Sequence, residues 1–404
     1  MILDAKYLYE RGLYSQSEER LGQARELAFE LDDQLSLLEI SREQLNYLWV
    51  TKPKGYGQRI NHLLEQKDVY IDNINEELKY LAISYKIQMA KNKPDLEKYQ
   101  EEISTQLSPG THNPYSQSAH TRRRFFQSCA FYYDLIVKDV ENANFYYSKM
   151  AEWWDDNPSI KEEEYVRYIA DVFNLIHISY TQKKYQQFEK LLQKIETEKP
   201  SNYHDQRLLF KQLTNYKLLY HVNLGVKEGH EILIQQVEEG MGAYKLTPVS
   251  QLIIAFNLSL LLFILERFDL CQQWCERIMK DYNKKVNNEQ FRLATMLINV
   301  MCSYEQDDID RIDSGLRALQ RSLKSSKYQG GFFRATTKTL RKLENAMGTQ
   351  ARKLLSQLEQ QIHQAKENGE NTPLGMDDLL LNWIKSKQEN IPLRIVLRES
   401  IATA

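Results

Sequence analysis

Four asparagines, Asn174, Asn215, Asn257 and Asn299, follow one another at intervals of 41, 42 and 42 residues. If helices recur at that interval, the four side chains stand at one height on successive helices and form a ladder. A carboxamide both donates and accepts hydrogen bonds, the pairing that an extended peptide backbone requires. The chemistry expected of this row is therefore recognition. Side-chain pockets beside it would be lined by Phe173, His177, Lys211, Thr214, Lys217, His221 and Phe256, chosen by their offsets from the repeat anchors described below. An asparagine that only braces a neighbouring helix would recur at the same interval, and that alternative stays open.

Residues suited to bond-making chemistry lack the partners it needs. Cys271 and Cys275 lie at i and i+4 of a helical pattern and could share a metal, but no second Cys or His pair with zinc-site spacing follows. Packing in the core is the expectation, with no metal site and no cofactor. None of the eight histidines sits in a His-Glu-x-x-His pattern, and the chain has neither a GxxxxGK[ST] nor a GxGxxG loop to cradle phosphates. No catalytic residue is assigned, and a non-enzymatic protein is expected. From Arg311 to Lys353 eleven basic residues face two acidic ones, Asp313 and Glu344, so that stretch carries +9 and the remainder −11. Arg317, Arg321 and Lys324 form its centre. Such a strip can receive an acidic segment of a partner, and it can equally be a solvated face that keeps the end of the chain soluble. Arg122-Arg123-Arg124 precedes Phe125-Phe126, but these aromatics fit the core of a helix that begins there. Nucleic acid is not the expected partner.

The elements that would position these residues come from a repeat. Gly12-x-Tyr14-x-x-Ser17-x-x-x-Leu21-x-x-Ala24 places an aromatic at a turn and then small or apolar residues at +3, +7 and +10, one face of a helix. The same offsets hold at Tyr185, Phe268 and Val140, and weaker copies begin at Tyr56, Leu96, Val226 and Ile309. The anchors 14, 56, 96, 140, 185, 226, 268 and 309 are separated by 42, 40, 44, 45, 41, 42 and 41 residues. A period near forty filled by two helical patterns predicts stacked antiparallel helix pairs, which cannot bury their faces alone. Each anchor should stand between a first helix, such as 163–182, and a second, such as 185–197. Lys93-Pro94, Asn157-Pro158, Lys199-Pro200 and Thr247-Pro248 fall where pairs should join.

The pattern Gly-x-Tyr-x-x-small-x-x-x-apolar-x-x-Ala resembles the tetratricopeptide repeat, and Phe256-Asn257-Leu258-Ser259 and Phe173-Asn174-Leu175 resemble the middle of that repeat's first helix. The resemblance covers most of residues 1–325. The period exceeds the family's usual length, and the turn glycine survives only at Gly12. What the resemblance implies is an all-α, right-handed α-solenoid of antiparallel helix pairs, in which asparagines at the matching position hold a peptide backbone in the concave groove.

Composition agrees with this class. Only 15 Gly and 9 Pro occur in 404 residues, few for a fold built on turns, and 42% hydrophobic residues with a net charge of −2 suit a chain with a substantial core. Mean hydropathy is −0.59. The longest apolar run, Leu252–Leu265, is too short for a membrane span and reads as a buried helix. Sparse cysteines fit a reducing cytoplasm. The expected organisation is amino-terminal helical repeats over 1–107, a flexible loop over 108–121, a central repeat solenoid over 122–325 and a helical capping region over 326–404. The functional reading is a protein- or peptide-binding scaffold, with no membrane partner and an undetermined oligomeric state. Its rival is a peptide-sensing regulator resembling bacterial helical-repeat quorum-sensing proteins, or the repeat part of a larger protein.

Overall fold

The computed structural model describes residues 1–91, 96–107, 118–223, 225, 228–324, 326–328 and 330–402. Among these residues the chain is helical, without a strand. Two units form, Met1–Thr197 and Glu198–Ala404, a division inside the stretch read from sequence as one central solenoid. The amino-terminal unit holds α1 (Ile2–Glu10), α2 (Tyr14–Glu30), α3 (Gln34–Thr51), α4 (Tyr56–Ala90), α5 (Leu96–Leu107), α6 (Ala119–Phe131), α7 (Val140–Asp156), α8 (Pro158–Glu163), α9 (Tyr165–Thr181) and α10 (Tyr185–Glu196). The carboxy-terminal unit holds α11 (Tyr203–Asn223), α12 (His230–Ala243), α13 (Pro248–Ile264), α14 (Phe268–Arg277), α15 (Asn283–Val286), α16 (Glu289–Glu305) and α17 (Ile309–Leu323). There follow α18 (Gly331–Leu343), α19 (Thr349–Glu367), α20 (Met376–Glu389) and α21 (Leu393–Ala402).

The repeat anchors mark helix starts. Tyr14, Tyr56, Leu96, Val140, Tyr185, Phe268 and Ile309 are each the first residue of a helix, and Val226 lies outside the described residues. One turn geometry recurs before them. At Gly12, Lys183, Glu266 and Asp307, two residues ahead of the anchor, φ is positive, between 54° and 76°. The next N–H then reaches back five residues: Leu13 to the Leu8 carbonyl at 3.0 Å, Lys184 to Ser179 at 2.8 Å, Arg267 to Leu262 at 2.9 Å and Asp308 to Ser303 at 3.0 Å. This Schellman arrangement satisfies the last carbonyls of the first helix while reversing the chain. Glycine adopts it freely, whereas Lys183, Glu266 and Asp307 accept a left-handed conformation that disfavours a side chain. The lost turn glycines therefore changed the residue and kept the backbone. Prolines act as read from sequence at two junctions, Pro158 and Pro248 occupying first turns of α8 and α13.

Two local differences follow from the residues present. The second helix after Tyr56 does not stop before the next repeat; α4 runs 35 residues without interruption. Beyond Gly57 this segment contains neither Gly nor Pro, so nothing ends the helix. Of the segment read as a flexible loop, residues 108–117 lie outside the described residues. Ser118 instead caps α6, its hydroxyl accepting the Thr121 N–H at 3.1 Å, so 118–121 belong to the helix.

In the carboxy-terminal unit, one core runs from Leu218 through α13, α14, α16 and α17 into α18–α21. The run Leu252–Leu265 forms most of α13, with Leu252 and every residue from Ile254 to Ile264 buried and Leu258 inaccessible. No described helix is long and apolar enough to cross a membrane. In α1–α4, Ala5, Leu21, Ala24, Ala28, Leu37, Ile40 and Tyr70 form one cluster and Tyr47, Leu48 and Leu63 another, and the end of α4 buries Tyr80, Ile83, Ile87 and Ala90.

Candidate functional site

First helices of successive repeats pack side by side in the carboxy-terminal unit, α13 lying against both α11 and α16. That packing brings part of the asparagine row together. Asn257 Nδ2 donates to Asn215 Oδ1 at 2.8 Å, across 42 residues of sequence. Asn257 is buried, 7% exposed, whereas Asn215 is half-buried. This bond uses one donor and one acceptor to tie α13 to α11, and it fixes the orientation of the Asn215 amide. Asn299, on α16, is half-buried, and its main-chain carbonyl accepts the Ser303 hydroxyl at 3.1 Å. Asn174, on α9, is half-buried and belongs to the amino-terminal unit.

The residues read as pocket walls divide by exposure. Phe173, Thr214, His221 and Phe256 are buried. Phe256 meets Phe291 edge-on at 5.1 Å between ring centroids, and His221 meets Tyr220 at 5.7 Å. Lys211 and Lys217 are half-buried and His177 is exposed. On α11 the two lysines thus reach solvent while Thr214 and His221 pack inward.

The basic stretch runs from α17 through α18 to the first turn of α19. Arg317 pairs with Asp313 at 3.0 Å, and Arg341 of α18 approaches the same carboxylate at 3.7 Å. Arg321 and Lys324 occupy the end of α17, where cations also favour the helix dipole. Beside α18 a cleft of about 420 Å³ is lined by Arg334, Lys338, Gln361, Gln364, Asn368 and Glu370. Glu370 accepts the Phe332 N–H at 3.1 Å and so caps α18.

Two buried clusters escaped sequence reasoning. Arg123, read as part of a basic-aromatic run, is buried and grips Asp171 of α9, with Nη2 to Oδ2 at 2.6 Å and Nε to the same oxygen at 2.8 Å. Trp154 Nε1 donates to that oxygen at 2.9 Å, and its ring stacks on the guanidinium at 4.9 Å. Burial pushes the Asp171 carboxyl up, against the pull of Arg123 and the indole N–H. The available signal was Asp171 itself, a lone acid inside an apolar helix. Cys302 of α16 meets Cys271 and Cys275 in the core. Burial and the adjacent thiols push Cys271 well above its ordinary value, and burial pushes Cys129 up to about 12. The thiolate, the reactive form, is thereby suppressed. No grouping of described His, Cys, Asp and Glu residues could hold a metal ion. No protein-family model, curated protein or solved structure matches the chain.

Proposed function

We propose that the chain is a non-enzymatic protein- and peptide-binding scaffold: a cytoplasmic, right-handed α-solenoid of tetratricopeptide type whose last repeat is capped by the helices after residue 326. In this reading the carboxy-terminal unit receives an extended peptide along α11, α13 and α16. The observation that supports it is the Asn257–Asn215 hydrogen bond between neighbouring first helices. It leaves the two N–H donors of Asn215 for a ligand carbonyl and holds them in one orientation, so little rotamer freedom is lost on binding. Asn257 is then a positioning residue, and Asn215 and Asn299 are the contacts.

Each carboxamide exchanges water for peptide groups, for a net gain of about 0.5 to 1.5 kcal/mol. Micromolar affinity needs about 8 kcal/mol. Direction and register therefore come from the asparagines, and affinity from side-chain contacts beside them, for which Lys211, Lys217 and the basic α17 supply attraction to an acidic segment.

The test is selection of linear peptides from a random display library by the purified chain, followed by fluorescence anisotropy with the best binder. Asn215→Ala and Asn299→Ala should each weaken binding roughly 2- to 10-fold. The triple reversal of Arg317, Arg321 and Lys324 to Glu should flatten the salt dependence, because exposed charges are screened beyond about 8 to 10 Å at physiological ionic strength. Unchanged affinity in both asparagine variants, with a lowered melting temperature, would make the row a set of braces and overturn the peptide-groove reading.

A further inference from the structure

The basic stretch between Arg311 and Lys353 is only partly compensated within the chain. Arg311 pairs with Asp308, and Arg317 and Arg341 share Asp313. Arg321, Lys327, Lys338, Lys342, Arg352 and Lys353 are exposed, and none of them pairs with an Asp or Glu among the described residues. Cations gathered without counter-charges raise the local potential and draw anions to the surface.

Part of this stretch faces a cleft. Arg334, Lys338 and Lys342 follow one another along α18 at steps of four residues, and the first two line the cleft of about 420 Å³ between α18 and α19. The opposite wall is α19, where Gln361 and Gln364 are followed by Asn368 just past the helix end, at steps of 3 and 4. These three amides are exposed, and their side chains make no hydrogen bond with the described residues. One wall therefore offers cations, and the other offers carboxamides that both donate and accept. Glu370 is the one acid among the described lining residues, and it is turned to the backbone. Its Oε2 accepts the Phe332 N–H at 3.1 Å, and a Cβ on Gly331 would stand 2.9 Å from its Oε1, so the glycine lets the carboxylate in. The positive end of the α18 dipole offsets its charge there, and it forms no ion pair with Lys338.

We propose that this cleft is a docking site for an extended acidic protein segment with Asp or Glu at alternate positions. Four residues of helix advance about 6 Å, and alternate residues of an extended chain advance about 6 to 7 Å. Successive carboxylates on one side of the segment therefore meet Arg334, Lys338 and Lys342 in turn. The carboxamides of α19 meet its main chain, which an extended segment leaves unpaired and a helical one does not. Single-stranded nucleic acid also carries anions in series, but it is held through aromatic side chains on which its bases stack, and no aromatic side chain is among the described residues that line the cleft. The site is separate from the asparagine row, since none of its lining residues lies on α11, α13 or α16.

The probe is a short fluorescent peptide of alternating Glu and Ser, with its Gln-Ser counterpart as the uncharged control. Fluorescence anisotropy should show the Glu-Ser peptide bound at least several-fold more tightly, the difference shrinking as salt rises. Lys338→Gln with Lys342→Gln should weaken it about 3- to 10-fold. Gln361→Ala with Gln364→Ala should weaken both peptides about 2- to 10-fold. Lys284→Gln with Lys285→Gln removes the same charge from exposed lysines outside the cleft and should leave the affinity unchanged. Asn215→Ala should leave it unchanged as well, which separates this site from the groove proposed above. A readout that needs no variant is carbodiimide coupling of the Glu-Ser peptide to the wild-type chain, with peptide mapping: amide bonds should form first at Lys338 and Lys342. Equal affinity for the two peptides, equal losses in the two lysine pairs, coupling spread evenly over the exposed lysines, or oligothymidine bound as tightly as the Glu-Ser peptide would each overturn the proposal.

Discussion

Helices α3 and α13 hold equivalent places in the repeat, each the first helix of a pair, yet they live in different surroundings. α13 has α11, α12, α14 and α16 around it and buries Leu252 and every residue from Ile254 to Ile264. α3 packs on α2 and α4, touches α1, and leaves Leu35, Trp49 and Val50 in solvent. More than half of the large apolar side chains exposed among the described residues precede Lys91, in less than a quarter of the chain. Asn46, 10 residues before the anchor Tyr56, stands one residue from the repeat position of Asn257, 11 before Phe268. The first is exposed and within 3.4 Å of Glu43, the second buried and bonded to the next rung. Repeat position sets the backbone; the number of packed neighbours sets what a side chain there is worth.

The largest expected effect separates the two regions by core substitution. Leu258→Ala in α13 should cost about 2 to 5 kcal/mol, the range for a buried leucine, whereas Leu35→Ala in α3 should stay within about 0.5 kcal/mol. Urea denaturation of the two variants measures both, and similar costs would erase the contrast. A smaller difference is expected between the two asparagines. Asn257→Ala removes the hydrogen bond to the half-buried Asn215 and should cost about 0.5 to 1.5 kcal/mol. Asn46→Ala should leave the melting temperature unchanged. Smallest are the turn changes, which ask whether the backbone is the same in both regions. Gly12 has φ +76° and nothing within 4 Å of an added Cβ, so Gly12→Ala should cost about 1 kcal/mol through backbone strain alone. Glu266→Gly and Asp307→Gly should each stabilise by about 0.5 to 1 kcal/mol, because the left-handed residue no longer carries a side chain. Loss of stability in those two variants would show that their side chains do more than tolerate the turn.

Much of the helical organisation was legible because the anchor pattern encodes a turn followed by one buried face. Aromatic or apolar residues at the anchors, with small and apolar ones at +3, +7 and +10, located helix starts even where the glycine had become Lys183, Glu266 or Asp307. The continuity of α4 was less legible: the sequence repeats its period across a stretch where no residue interrupts the helix, so periodicity alone implied a turn. The asparagine row was visible as spacing, but spacing cannot tell a half-buried Asn215 from a buried Asn257, because that depends on how closely α13 sits between its neighbours. Arg123 and Asp171, 48 residues apart, form a pair that only the packing of α6, α7 and α9 creates. Cys302 joins Cys271 and Cys275 for a similar reason, since the contact is made by α16 packing on α14.

Hydrogen exchange of the wild-type chain, followed by mass spectrometry, tests the contrast between the two regions most directly. Amides of α13 and α16 should exchange slowly, since their protection comes from the core of their own unit. Amides of α3 and of α4 between Tyr56 and Tyr70 should exchange several-fold faster than those of α13, because fewer packed neighbours cover them. Protection of α3 and of the first half of α4 matching that of α13 would contradict the account.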